Sequence, residues 1–84
     1  MSASQALKRL VAMKRNPHNK WTMEDVAFLC RNLGLRFRPP PPGSHCVVSH
    51  PKVDGLLTIP AERPIKPIYI MLLAQLAEGV LEIE

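Results

Sequence analysis

Four consecutive prolines, Pro39 to Pro42, constrain this chain more than any other feature. None has an amide hydrogen to donate, so neither a helix nor a sheet ladder passes through them, and they form a stiff polyproline-type connector. Two of the chain's three histidines, His45 and His50, follow at once in "PPPPGSHCVVSHP", a stretch that otherwise reads as a buried strand. The placement of these histidines is the first question the chain raises.

Ahead of the prolines the pattern is helical. Residues 3 to 14 put Ala3, Leu7, Leu10, Val11 and Lys14 at helical spacing, with Lys8, Arg9, Lys14 and Arg15 toward the end that favours positive charge. Asn16-Pro17 ends this helix. A second helix is capped by Thr22 with Asp25 three residues on, and Trp21 and Val26 have the spacing of a hydrophobic staple. Val26, Leu29, Cys30 and Leu33 share one face, and Gly34 closes the helix in the left-handed conformation. Trp21, the only tryptophan, reads as staple and core rather than as a base-stacking platform. Leu35 to Arg38 then alternate apolar and basic, which sends Arg36 and Arg38 to the face opposite Leu35 and Phe37 in a strand.

Beyond the prolines, residues 45 to 49 read as a second strand and Leu56 to Ile59 as a third, stopped by Pro60. Pro51 and Asp54-Gly55 carry reverse-turn chemistry, so these two strands form an antiparallel hairpin. Pro67 suits the first turn of a final helix over residues 68 to 78, with Gly79 as its stop. That helix, "IYIMLLAQLA", is apolar nearly all round. One face packs on the sheet, and the surplus asks for the N-terminal helix or a partner chain, a second copy included. The order of elements predicts an α+β fold: a three-stranded antiparallel sheet with helices on one face and the other face open.

At 84 residues there is room for one domain and none for a large enclosed substrate cavity. The 46% hydrophobic content is that of a folding chain. Net charge is +4, and eight of the 11 lysines and arginines precede residue 39. That asymmetry fits a polyanionic partner, although charge alone fits solubility equally well. Cys30 and Cys46 lack C-x-x-C spacing and read as reduced core thiols, the cytoplasmic default. The longest apolar run, Ile68 to Ala74, is far short of a membrane span, and the N-terminus has no apolar signal segment.

In the second strand Cys46 and Val48 fall on one face and His45, Val47 and Ser49 on the other. With the small apolar pair inward, His45 lies on the open face beside a Gly43-Ser44 hinge, and Arg36 and Arg38 project from the same face. Arginines hold phosphates bidentately, and a neutral imidazole can accept the proton of a ribose 2′-hydroxyl while cations stabilise the phosphorane. A strand histidine hydrogen-bonded to a neighbour is the plainer alternative, and it stays open. His50, before Pro51, serves turn geometry or solvation. A metal site from His45, Cys46 and His50 would have one ligand facing away and no dependable fourth, so neither metal nor cofactor is expected.

"GSHCVVSHP" followed by "LLTIPAERPIKPIYIMLLAQL" resembles the pattern of the HicA toxin family, also called YcfA-like: Gly-Ser-His, strand, Val/Ile-Pro, final helix. The resemblance spans roughly residues 23 to 77 and is best from Gly43 onward; its specificity lies in the second motif following the first at the right distance. It implies a fold like that of double-stranded RNA-binding domains over residues 21 to 84, with residues 1 to 20 as an N-terminal helical extension. It also implies a cytoplasmic, metal-independent endoribonuclease that binds and cleaves mRNA and is neutralised by a HicB-like antitoxin protein. His45 is the implied catalytic residue. Gly43 and Ser44 match its flanking positions, and Ser44, Arg36, Arg38, Arg63 and Lys66 are candidate RNA contacts, the last two at the start of the final helix. The chain departs from the family where Glu62 occupies the place of a second histidine, two residues after Pro60. It departs again where four prolines replace a shorter turn. Glu62 keeps a non-catalytic RNA-binding module in play, and the surplus apolar surface keeps a protein-interaction domain in play.

Overall fold

The computed structural model describes residues 2 to 83. Its elements are α1 (Ser2–Arg15), α2 (Met23–Leu33), β1 (Arg36–Arg38), β2 (His45–His50), β3 (Val53–Pro60) and α3 (Pro67–Ile83). The fold is α+β, with one antiparallel sheet in the order β1-β2-β3. α2 packs against β1, α3 against β3, and α1 against both of those helices.

The start of α2 follows its sequence closely. The Thr22 side chain accepts from the Asp25 N–H while the Asp25 carboxylate accepts from the Thr22 N–H, a complete capping box. Trp21 and Val26 on either side of the cap are both buried. Trp21 also ties three segments together: its Nε1 donates to the Asn16 carbonyl at 2.9 Å, and its own carbonyl accepts from the Ile65 N–H at 3.0 Å. At the far end Gly34 takes φ 79° and its N–H returns to the Cys30 carbonyl.

A single apolar cluster takes side chains from every layer: Ala6, Leu10 and Met13 of α1, Val26, Leu29 and Cys30 of α2, Cys46, Val48 and Ile59 of the sheet, and Leu73, Ala77 and Val80 of α3. α1 is thus part of the core. It is clasped to α2 by Arg9, which lies 3.4 Å from Asp25 and stacks over the Phe28 ring at 4.2 Å, and to α3 by the Lys14–Glu78 ion pair.

Three local expectations are corrected. The hairpin turn is Pro51-Lys52 alone, because β3 begins at Val53; Asp54-Gly55 lies inside β3, where Gly55 at φ 89° accommodates a bulge between Val48 and His50 of the partner strand. Gly79 does not stop α3, which runs on to Ile83. Burial of Val80 rewards continuing the apolar stripe by more than the roughly 1 kcal/mol a helical glycine costs. Finally, Gly43-Ser44 is a closed turn and not a hinge: the Ser44 N–H donates to the Pro41 carbonyl at 3.1 Å, with Gly43 at φ 71°. Proline followed by glycine with positive φ is what a type II turn requires.

Candidate nucleic-acid interface

The ladder assigns each side chain to a face. Arg36 pairs with Ser49, Phe37 with Val48 and Arg38 with Val47; across the other edge Val47 pairs with Thr58, Cys46 with Ile59 and His45 with Pro60. Cys46, Val48 and Ile59 are fully buried, so the opposite face carries Arg36, Arg38, His45, Val47, Ser49, Thr58 and Pro60. His45, Arg36 and Arg38 are all exposed there. The imidazole of His45 has no hydrogen-bond or ion-pair partner among the described residues. Arg38 stands opposite Val47 and is therefore a diagonal neighbour of His45, a relation that sets two residues about 7–8 Å apart.

The proline connector now has a local purpose. It leaves the edge strand β1, runs to Pro41, and closes on Ser44 in the turn described above, so that His45 enters the ladder at its first position. Ser44 itself is half-buried, and its carbonyl accepts from the Ala61 N–H at 3.0 Å. Glu62 comes next after Ala61 and two residues after Pro60, the partner of His45, which brings the exposed Glu62 carboxylate to the histidine's end of the sheet.

Lys66 stands 4.0 Å from Glu62 and joins that end. Arg63 turns elsewhere, pairing at 3.5 Å with Glu24 of α2; both partners are exposed, and such a pair is weak enough to open. The two cations precede α3, whose first residue is Pro67. His50 is only 7% exposed, and its Nδ1 accepts from the Lys52 N–H at 3.1 Å, closing the hairpin turn it was expected to serve. Among the described residues no group of three or more His, Cys, Asp or Glu side chains is placed to hold a metal ion, and no helix is long and apolar enough to cross a membrane.

One residue of this face is absent from the expected contacts. Leu56 is 71% exposed, the highest value among the large apolar side chains described, and it lines a trough of about 430 Å³ with Arg36, Arg38, Val47 and Ser49. The alternation of Leu57 and Ile59 toward the core was the signal that would have placed it outward.

The trough and His45 together offer guanidinium donors and an unengaged imidazole along one exposed surface, with Glu62 at the histidine's end of the sheet. Set beside known protein-family models, curated proteins and solved structures, the chain matches none.

Proposed function

We propose that this chain is a HicA-type toxin ribonuclease that binds mRNA on the open sheet face and cleaves it by metal-independent transesterification. The observation that carries the reading is His45: an exposed imidazole at the first position of the central strand, diagonal to Arg38, with Glu62 two residues past its ladder partner Pro60. Further support comes from the run α2-β1-β2-β3-α3, which has the element order of a double-stranded RNA-binding domain, and from the Gly-Ser-His motif falling on the turn that delivers His45. Here α1 is an addition packed on the helical side, away from the open face.

In this mechanism the His45 imidazole takes the proton of a ribose 2′-hydroxyl as that oxygen attacks the adjacent phosphorus. The P–O5′ bond breaks, leaving a 2′,3′-cyclic phosphate on one fragment. The departing 5′ oxygen receives that proton back from the imidazolium. Arg38, with Arg36 beyond it, binds phosphate and stabilises the charge that builds on the phosphorane, and Ser44 and Lys66 contact the chain on the other side of His45. A HicB-like antitoxin is the partner that silences the site.

Induced expression of wild type against His45→Ala tests this. Wild type arrests growth and fragments mRNA, and the folded variant does neither; equal toxicity removes His45 from the mechanism. Glu62 favours one second reading, an RNA-binding module without chemistry. In that case salt-sensitive RNA binding survives His45→Ala and neither protein cuts.

A further inference from the structure

We propose that the trough carries a single RNA strand along β1, with successive phosphates on Arg38 and Arg36 and a base lying on Leu56. The path takes its starting point, His45, from the ribonuclease reading above and adds direction, register and substrate form.

Arg36 and Arg38 sit two residues apart on an edge strand, which separates their Cα atoms by about 7 Å. The same two-residue step leads along β2 from His45 to Val47, the partner of Arg38, and from Val47 to Ser49, the partner of Arg36. His45, Arg38 and Arg36 therefore form an evenly stepped row whose spacing matches one extended nucleotide per step. With the scissile phosphate at His45, the next phosphate meets Arg38 and the one after it meets Arg36.

Inboard of the row Val47 and Leu56 are apolar, Ser49 and Thr58 add neutral hydroxyls, and no carboxylate lines the trough. A cationic rim beside a neutral, partly apolar floor matches a ligand that is anionic along one edge and flat and apolar along the other. A single strand meets both demands, with backbone over β1 and a base over Leu56. A duplex keeps its bases stacked inside, so it could engage the arginines but would leave Leu56 in water. A protein partner would need carboxylates at the arginine spacing, and the even steps from the histidine favour the nucleotide repeat.

Binding to a short labelled RNA, followed by fluorescence anisotropy on a His45→Ala background, tests the path without cutting the probe. The single strand should bind at least about tenfold more tightly than the matching duplex. Adding Arg36→Ala or Arg38→Ala should each reduce the slope of log affinity against log salt by about 1. Adding Leu56→Ser should weaken binding roughly fivefold with the slope unchanged, and because Leu56 is exposed the fold survives the change. Equal affinity for the duplex, an unchanged slope on losing either arginine, indifference to Leu56→Ser, or a face that binds protein and no RNA each overturns the proposal. A wild type that binds in this way yet never cuts keeps the path and removes the nuclease; one that cuts while ignoring Leu56 keeps the nuclease and removes the path.

Discussion

His45 and Pro60 face each other across β2 and β3 as a non-hydrogen-bonded pair: the flanking bond runs from the Ala61 N–H to the Ser44 carbonyl, at 3.0 Å. At such a position the amide hydrogen that proline lacks would point away from the partner strand, so Pro60 removes nothing from the ladder. The close backbone approach of this pair type sets the proline beside the imidazole. The chain then leaves through Ala61 and Glu62, which is why a carboxylate ends up at the histidine's end of the sheet.

That arrangement gives Glu62 a measurable role. Under the proposed ribonuclease reading, Glu62→His supplies a second imidazole for the leaving oxygen and should raise the cleavage rate roughly tenfold or more. The readout is single-turnover cleavage of RNA at saturating enzyme. An unchanged rate would remove position 62 from proton transfer.

The turn that delivers His45 is equally open to test. A methyl group added at Gly43 would meet nothing within 4 Å, so only the left-handed backbone at φ 71° resists it. Gly43→Ala should therefore lower stability by about 1–2 kcal/mol in urea unfolding and reduce RNA cleavage as well. A variant of full stability would contradict the turn.

The N-terminal helix should behave as core. Met13 is 0% exposed, and Met13→Ala should cost about 2–5 kcal/mol, seen as a lower urea midpoint. A loss below about 1 kcal/mol would make α1 a loosely attached extension.

Burial raises the Cys30 pKa from 9.0 to about 12, with the neighbouring Cys46 adding to the effect, and burial also raises the Cys46 pKa. In the unfolded chain these thiols ionise from about pH 9.0, while the folded chain keeps them protonated. Their contribution to stability is fully present below pH 9.0 and is lost as pH rises toward about 12. Melting temperature should fall across that window, and Cys30→Ala should flatten the fall. An equally steep decline in the variant would contradict the assignment.

Much of the fold was legible because several signals agreed at single residues. Thr22, Asp25, Trp21 and Gly34 each announce the borders of α2, and period-two alternation correctly faced Arg36 and Arg38 away from Leu35. Local rules failed where a residue had two uses. Asp54-Gly55 has the composition of a turn, yet its positive φ serves a bulge, since Pro51-Lys52 with the His50 ring already reverses the chain. Gly79 has the composition of a stop, but the burial of Val80 outweighs it.

The candidate site was legible in part. The facing of His45 followed from the strand alternation, but the placement of Glu62 at the same end of the sheet depends on register, which no local pattern specifies. Leu56 went unnoticed because an apolar residue in a strand reads as core unless its neighbours are counted.

The central claim is that the His45 imidazole performs the proton transfer. The most direct measurement is to incubate purified wild type and His45→Ala with mRNA in excess chelator and analyse the fragment ends. Wild type should yield 2′,3′-cyclic phosphate and 5′-hydroxyl ends, and the variant, melting as wild type does and still binding RNA, should yield none. Cleavage by His45→Ala at the wild-type rate, or cleavage that stops when metal is removed, would contradict the account.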